Sequence, residues 1–380
     1  MSEAAPSAAP AGSGSIEIRE ATVAAFFADP GGWERLVAAA GVDPLFLGQP
    51  WVEAWWRSFS AVHGLEPVFF EAWQAGRRVG LAPFYRHRAG PPGLRGTRIE
   101  LVGNIWRGPS TARSEFLDLV IDPAAGLPAA RALLDRLQQD TGWQEFAPSD
   151  IAENSMLLAA LPGHALSTLT TREEGRSQSY EIEVRGTFDD YVASLTESAR
   201  RRLFNQRRKL ESRGPVEHVI APPGSFASFC GELDRLHALR FGSPYFSGTR
   251  RAFHAALIQA LPATAPRLSL LRLAGRPVSA LYNLRLGRHE YNLQAGFDPA
   301  ESAGVSLAKL HWGYLIEASF QEPGLTLDLL LGEGKSTGFK QEFARPARRC
   351  RTLQMIRPGA LAHAYRLYDR WLRPLRRAWR

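Results

Sequence analysis

The sequence predicts an α/β (α+β) protein made of two similar domains in tandem, each with a mixed sheet flanked by helices. The first observation is a duplicated hairpin: residues 69–88 and 268–287 share an Ala-Gly-Arg turn at a constant offset of 199 residues. The second is that helical patterns precede and follow both hairpins. The third is size, because 380 residues with 45% hydrophobic and 22% charged content suffice for two buried cores.

Each half is predicted to open on helices and continue into strands. Trp51, Trp55 and Trp56 recur at helical spacing, which predicts a helix over 49–62 whose aromatic face lies in the core. The first hairpin is followed by two predicted strands and an amphipathic helix, at 98–104, 115–122 and 128–140. The second half repeats this order, with predicted helices at 187–212 and 225–242, the hairpin, a strand at 289–298, a helix at 306–322 and a strand at 325–332.

A break in the periodic pattern predicts the domain boundary. Glycine and short polar residues interrupt the pattern over 161–178. The predicted organisation is a disordered tail at 1–16, an N-terminal domain at 17–168, a C-terminal domain at 176–357, and a basic amphipathic tail at 358–380.

Positive charge is concentrated in two segments. Residues 200–213 carry a balance of +6 and residues 361–380 a balance of +5, so the rest of the +8 chain stands at −3. Such segments indicate an anionic partner, although a solvated face explains 200–213 equally well. Phe204 is the only aromatic residue among those charges, which argues against nucleic acid as the main partner. The tail mixes arginines with Leu361, Tyr365, Leu367, Tyr368, Trp371 and Leu372 before Pro374, which fits either an anionic membrane surface or packing against the second domain.

Several function classes are excluded by missing motifs. The string GKST at 334–337 is not a nucleotide-binding loop, because the glycine that such a loop requires at 329 is Leu329. No histidine pair or cysteine cluster predicts a metal site, and no G-x-S-x-G elbow predicts a serine hydrolase. Cys230 and Cys350 are the only cysteines, and the start of the chain has no secretory pattern, so we expect a cytoplasmic protein.

An ordered set of stretches resembles a known family. The stretches are WVEAWWRSF, SEFLDLVIDP, FDDYVASLTESARRRLFNQRRKLES, AGRPVSALYNLRLGRHEYNLQAGFDPAES and LDLLLGEGKSTGFKQEF, which extend from about residue 45 to 345. They resemble the cellulose-biosynthesis CelD group of GNAT acetyltransferases, whose relatives include the Fem-type aminoacyltransferases with two GNAT-like domains. The resemblance implies two GNAT-like domains, with the active one C-terminal.

The resemblance also implies where an acyl-CoA donor binds. In a GNAT fold one strand separates from its neighbour and holds the pantetheine arm, and the next helix turns its N-terminal amides toward the pyrophosphate. The matching positions here are Ala295, Gly296, Phe297, Ser302, Gly304, Val305, Ser306 and Lys309. The turn has fewer glycines and arginines than is usual in GNAT enzymes, so aminoacyl-tRNA, the donor of Fem-type relatives, stays open as an alternative.

Four residues are predicted to carry the chemistry. Asp328, Gly332, Phe339, Lys340 and Phe343 fit a pattern of the Fem-type relatives, which implies that Lys340 stabilises the oxyanion of the tetrahedral intermediate. Asp298 and Asp328 are candidate proton acceptors, and Tyr291 or Tyr282 is the candidate that protonates the leaving group. For Asp298, a structural role in the turn that begins at Asp-Pro is the competing interpretation.

The sequence thus predicts a cytoplasmic, metal-independent N-acyltransferase that uses acetyl-CoA or another acyl-CoA. Its acceptor would be a small-molecule or glycan-linked amine, in cell-envelope or exopolysaccharide synthesis, with peripheral contact to the inner membrane through the tail. The alternatives are aminoacyl transfer from tRNA and a non-catalytic accessory protein of polysaccharide synthesis.

Overall fold

The computed structural model describes residues 14–90, 95–246, 248–332 and 335–371, and the side chains of 335–337 are not among those described. Its strands are β1 Ile16–Ala21, β2 Glu66–Gln74, β3 Arg77–Ala89, β4 Gly96–Leu101, β5 Val120–Ile121, β6 Glu145–Phe146, β7 Ile151–Ala152, β8 Thr170–Glu183, β9 Val216–Ile220, β10 Pro266–Leu273, β11 Arg276–Leu286, β12 His289–Phe297, β13 Thr326–Gly332 and β14 Arg345–Ile356. Its α-helices are α1 Val23–Phe26, α2 Pro30–Ala40, α3 Gln49–His63, α4 Gly126–Gln139, α5 Met156–Ala160, α6 Phe188–Ser194, α7 Glu197–Arg200, α8 Arg207–Glu211, α9 Phe226–Phe241, α10 Thr249–Ala260, α11 Leu307–Ser319, α12 Lys335–Gln341 and α13 Ala360–Trp371.

The described strands form one mixed sheet that runs through both halves. Its order is β1-β2-β3-β4-β6-β14-β8-β13-β12-β11-β10-β9, with β5 paired to β3 and β7 paired to β14. Most neighbours are antiparallel, whereas β4 with β6 and β12 with β13 are parallel. Each parallel pair is joined by a crossover that contains a helix, α4 in the first half and α11 in the second.

The predicted duplication is confirmed in backbone detail. Both hairpins turn on two residues with positive φ, 50° and 73° at Ala75-Gly76 and 49° and 77° at Ala274-Gly275, as a two-residue turn between twisted strands requires. Both also carry a bulge two residues before the turn, after Ala72 and after Leu271. These bulges are again 199 residues apart, so the two halves share one supersecondary plan.

The stretch predicted as the domain boundary is ordered structure. Residues 170–183 form β8, which pairs with β13 on one side and β14 on the other. The glycine and polar residues of this stretch therefore lie in a strand with neighbours on both edges. Because β14 also pairs with β6 and β7, the end of the second half completes the sheet of the first. The division at 168 and 176 stays a prediction.

The two halves also pack through helices. Trp51 and Trp55 of α3 are buried, as their spacing predicted. The Trp51 ring meets Phe253 of α10 edge to face at 5.0 Å, and its Nε1 donates to the Ser114 hydroxyl at 2.7 Å. This contact fixes the first half against the second beside the central part of the sheet.

The two ends of the chain and the basic segment 200–213 differ in part from the predicted elements. Residues 1–13 of the predicted tail lie outside the described residues, and Ile16 already belongs to β1. The segment 200–213 is divided into the end of α7, one π-helical turn at Arg201–Asn205, and α8. Leu372 and Pro374 of the predicted amphipathic tail lie outside the described residues. Within the described ranges, none of the helices is both long enough and apolar enough to cross a membrane.

Candidate active site

The candidate site lies where β12 and β13 separate. Their parallel pairing covers only three residues and ends with Tyr291 opposite Asp328. Beyond that point, none of the described strands pairs with β12 on its β13 side. Side chains of β12 itself form hydrogen bonds with its backbone there. Gln294 Oε1 accepts from Ala295 N at 2.8 Å, and Asn292 Nδ2 donates to the Gln294 carbonyl at 3.4 Å. A ligand with amide groups could replace these bonds and lie between the strands.

A buried ion cluster from both halves occupies the start of this separation. Arg348 of β14 contacts Asp328 Oδ2 through Nη2 at 2.5 Å and Asp43 Oδ2 through Nη1 at 2.6 Å. Both carboxylates are buried. The Arg348 guanidinium also stacks 3.4 Å from the centre of the Phe116 ring. One cation thus bridges a carboxylate from each half, and burying these carboxylates without it would be unfavourable.

His289 and Asp328 form a dyad at the edge of this cluster. His289 Nε2 lies 3.1 Å from Asp328 Oδ2, and the His289 side chain is 27% exposed while that of Asp328 is fully buried. Burial alone would raise the pKa of Asp328, but the His289 hydrogen bond and the Arg348 charge together hold it below its ordinary value. An ionised Asp328 accepts from His289 Nε2–H, which leaves the Nδ1 lone pair as a base.

Tyr291 and Glu181 border the dyad. The Tyr291 ring lies 4.4 Å from that of His289, and its hydroxyl donates to Asp43 Oδ2 at 3.4 Å. Burial raises the pKa of Tyr291 well above its usual range, so its hydroxyl stays protonated. Glu181, His289 and Asp328 place ligand atoms within 4.8 Å of one another. The Arg348 guanidinium contacts Glu181 at 3.4 Å as well as Asp328, and supplies a positive charge to this group.

Glu115 is a further buried acid beside the separated strands. Its Oε2 accepts from the amide of Leu331 in β13 at 2.6 Å. Burial raises the pKa of Glu115 to about 7, against the opposing effects of Arg113 and the Leu331 hydrogen bond. The protonated form is therefore favoured in the folded protein over the interval from the ordinary glutamate pKa to about 7.

Glu115→Gln is expected to remove a pH dependence of stability. Because the folded-state pKa is raised, wild-type stability should fall as pH rises from about 4.5 to about 7, by up to ~3 kcal/mol. Glutamine keeps the acceptor for Leu331 but cannot ionise. Urea unfolding between pH 5 and pH 8 measures the difference, with the exposed Glu197→Gln as control. Parallel pH profiles for the wild type and Glu115→Gln would contradict the assignment.

Lys340 does not have the environment expected for it. Its ammonium donates to the carbonyls of Leu330 and Leu331, at 2.9 and 2.7 Å. Leu330 has a positive φ of 61°, and its amide donates to Asp328 Oδ1 at 2.7 Å. Burial lowers the pKa of Lys340, although Glu115 and Asp328 oppose that shift. The geometry thus gives Lys340 a positioning role, holding the irregular end of β13, rather than a free ammonium facing a carbonyl.

Asp298 and Tyr282 lie apart from the dyad. Asp298 is seven residues beyond Tyr291, which is roughly 23 Å along a strand. Because Tyr291 is paired with Asp328, Asp298 and Asp328 do not meet. Asp298 Oδ1 accepts from Ala300 N at 3.0 Å, and Arg276 lies 3.5 Å from Oδ2. The turn interpretation is therefore the one that the structure supports. The Tyr282 hydroxyl bonds His254 Nδ1 at 3.2 Å inside an aromatic cluster.

The turn before α11 is covered by the basic helix α8. Gly304 has a φ of 68°, and a Cβ there would collide with Nζ of Lys209. Gln206 Oε1 accepts from the amide of Ser306 at 2.8 Å. Arg213 donates to the carbonyls of Glu301, at 2.8 Å, and of Ala303. The first helical amides are thus partly capped from within, while the Lys209 ammonium lies beside the turn.

The other predicted donor residues divide between the strand and the core. Ala295, Gly296 and Phe297 do lie on the separated part of β12. Ser302 Oγ donates to the Asp298 carbonyl at 3.3 Å, and Val305 is buried. The expectation for Lys309 is corrected, because its buried ammonium bonds Glu342 at 2.6 Å. A lysine one turn into a helix faces whatever packs on that side, and here this is α12 and the segment after it.

Sequence reasoning missed His289, Arg348, Asp43 and Glu115. His289 had a local signal, since it opens a predicted strand two residues before Tyr291 on the same face. Arg348 is one of many arginines, and it meets Asp43 across 305 positions of chain. Only the pairing of β14 with β8 places it, and no local pattern predicts that pairing.

Comparisons with known proteins identify the fold. Residues 197–341 match the family described as "Acetyltransferase (GNAT) domain". The matched segment runs from α7 to the end of α12 and contains both strands of the separation. The chain has the GNAT fold in tandem. It is similar to the crystal structure of FemX, with 13% identity, 92% of this chain and 99% of that chain covered, and a TM-score of 0.57.

Two further solved structures share the fold. L-PGS from Bacillus licheniformis is 13% identical, with 90% and 96% of the two chains covered and a TM-score of 0.51. A tandem GNAT protein from the clavulanic acid biosynthesis pathway is 10% identical, with 91% and 100% covered and a TM-score of 0.51. Comparison with curated proteins gives no significant match. The narrower resemblance to the CelD group stays a prediction.

Proposed function

We propose that the protein is an N-acyltransferase that moves an acyl group from acyl-CoA to an amine. The observation that carries the proposal is the His289–Asp328 dyad, which lies on the short paired part of β12 and β13, next to the point where the two strands of a GNAT fold separate. A partly exposed imidazole held by a buried carboxylate is the arrangement of a general base.

The donor would lie along the separated strand, with its pyrophosphate near Gly304 and Lys209. The hydrogen bonds that the Asn292 and Gln294 side chains make to the β12 backbone would be replaced by hydrogen bonds to the amide groups of the pantetheine arm. The amine nitrogen attacks the thioester carbonyl carbon and forms the new C–N bond. His289 Nδ1 takes the proton that the amine loses, the C–S bond breaks, and the departing thiolate receives a proton from the imidazolium or from water.

The remaining residues of the site prepare the dyad. Arg348 keeps Asp328 ionised, so that Asp328 orients His289 and does not itself carry the transferred proton. Tyr291 and Asp43 close the same face, which is turned toward the N-terminal half. The acceptor would therefore approach between the two halves, whereas the donor comes from the side of α11.

Aminoacyl transfer from tRNA is the second candidate, and the turn before α11 favours it. Gln206 already accepts from the amide of Ser306, which leaves one donor fewer for a pyrophosphate at that turn. The dyad would act on an ester as it does on a thioester. Service in cell-envelope or exopolysaccharide synthesis, and a cytoplasmic location at the inner membrane, rest on the sequence resemblance alone.

Lys209→Met is expected to separate the two donors. If acyl-CoA binds at the turn, loss of the Lys209 charge should raise the Kd of acetyl-CoA by about tenfold, measured by titration calorimetry. The exposed Arg201→Met removes a charge from the preceding turn and should leave Kd within about twofold. No heat with acetyl-CoA, together with salt-dependent binding of aminoacyl-tRNA, would replace the first candidate by the second.

A further inference from the structure

A large cavity lies away from the dyad, between the first half of the sheet and α13. Its volume is about 670 Å³, within the range of small-ligand sites. The ends of β3 and β4, the loop 105–109 and the inner face of α13 line it. It shares no residue with the dyad or with the ion cluster around Arg348. We call it the α13 cavity.

The mouth of the α13 cavity carries positive charge that the described residues do not neutralise. Arg88 donates to the carbonyl of Arg95 at 3.1 Å, and both side chains belong to exposed residues. Within the described ranges neither arginine has a carboxylate at ion-pair distance. Deeper in the wall, Arg98 is buried and already held by Glu145 at 2.8 Å. The free charge is therefore at the mouth.

Hydrogen-bond donors line the wall of α13 that faces the cavity. Tyr365 and Tyr368 both line it, and among the described residues their hydroxyls have no hydrogen-bond partner. Arg172 of β8 fixes this helix, since it pairs with Asp369 through Nη2 at 2.6 Å and stacks 4.4 Å from the Tyr365 ring centre. Guanidinium and phenol groups together suit the oxygens of a phosphate ester.

The outer face of α13 exposes apolar side chains near the end of the helix, and arginines are their neighbours in the sequence. Leu367 is 46% exposed and Trp371 61% exposed, one helical turn apart. Arg366 and Arg370, which directly precede them in the sequence, are also exposed. Tryptophan and leucine beside arginines are typical of a helix that lies in a membrane interface. A soluble phosphate ester would not need this apolar surface beside its site.

We propose that the α13 cavity binds the phosphate of an anionic lipid headgroup, with Leu367 and Trp371 inserted among the adjoining acyl chains. Arg88 and Arg95 contact the phosphate oxygens, and the tyrosine hydroxyls donate from the opposite wall. The site is an attachment site for the membrane surface, and it is independent of the acyl-transfer chemistry at His289. The arginines at the mouth, unpaired among the described residues, favour an anionic headgroup, and the exposed Leu367 and Trp371 independently favour a lipid.

The test is co-sedimentation of the full chain with phosphatidylcholine vesicles, with and without phosphatidic acid. We expect binding only to the vesicles that contain phosphatidic acid. Arg88→Gln/Arg95→Gln should weaken it by at least about tenfold, since each arginine near an anionic surface contributes about 1 kcal/mol. Leu367→Ser/Trp371→Ser should weaken it similarly, because the apolar contact is lost. Circular dichroism verifies folding of each variant.

The matched control is Arg185→Gln/Arg201→Gln, which removes two exposed arginines outside the cavity. It should bind within about twofold of wild type at 0.15 M salt. An equal loss in this control would show diffuse charge attraction and overturn the site. Titration with glycerol 3-phosphate distinguishes the other source: tight binding of it, with no vesicle binding, would overturn the lipid in favour of a soluble phosphate ester.

Discussion

His289→Ala is expected to lower the maximal transfer rate by roughly 10²- to 10⁴-fold, the usual contribution of a positioned general base. The Kd of the donor should change by less than about twofold, because His289 lies on the paired part of β12 and not along the open edge that would hold the pantetheine arm. Asp328→Asn should cause a comparable loss, since a neutral amide no longer fixes the Nδ1 base. The measurement is single-turnover transfer from labelled acyl-CoA at saturating donor.

Two controls separate chemistry from folding. His363→Gln removes an exposed histidine and should leave the rate unchanged. His289→Gln keeps a donor for Asp328 without a titratable base, so it should fold like wild type and stay inactive. A His289→Gln variant with wild-type rate would mean that another group takes the proton.

Arg348→Met is expected to destabilise the protein by roughly 3 kcal/mol near neutral pH. The substitution leaves Asp43 and Asp328 buried without their shared cation. Because Arg348 helps to depress the pKa of Asp328, its stabilising effect is present above the unfolded aspartate pKa and is lost as pH falls. The gap between wild type and variant should therefore narrow toward acidic pH in urea unfolding.

Neighbouring and compensating variants test whether charge is the cause. Arg349→Met removes an exposed side chain whose only described hydrogen bond is to Gln178, and should cost less than about 1 kcal/mol. Asp328→Asn/Arg348→Met removes a charge of each sign and should recover part of the loss. A deficit of equal size at every pH would instead indicate lost packing on Phe116.

The local parts of the fold were predictable from sequence. The two hairpins have turn residues that demand positive φ, and the helix, hairpin, strand, helix, strand order could be read from periodicity. The glycine and polar residues of 161–178 suggested a domain boundary. In the structure, residues from 170 onward belong to β8, which pairs with a strand on each side. Strand pairing at long sequence separation overrides local propensity.

The candidate site was only partly predictable for the same reason. Tyr291 and Asp328 lie on the two strands that the helix α11 connects, so a family pattern could place both. Arg348, Asp43 and Glu115 reach the site through the pairing of β14 and β8 and the packing of the N-terminal half. Lys309 and Lys340 were plausible from their position, but the partners that hold them are acids and carbonyls from elsewhere in the chain.

The most direct test of the central claim is the rate of acyl transfer from acetyl-CoA to a panel of primary amines, compared between wild type, His289→Gln and Lys209→Met. The account predicts transfer by wild type, a rate at least about 10²-fold lower in His289→Gln at saturating donor, and a normal saturated rate with weaker donor binding in Lys209→Met. Transfer that persists in His289→Gln, or donor affinity that is lost in His289→Gln and kept in Lys209→Met, would contradict it.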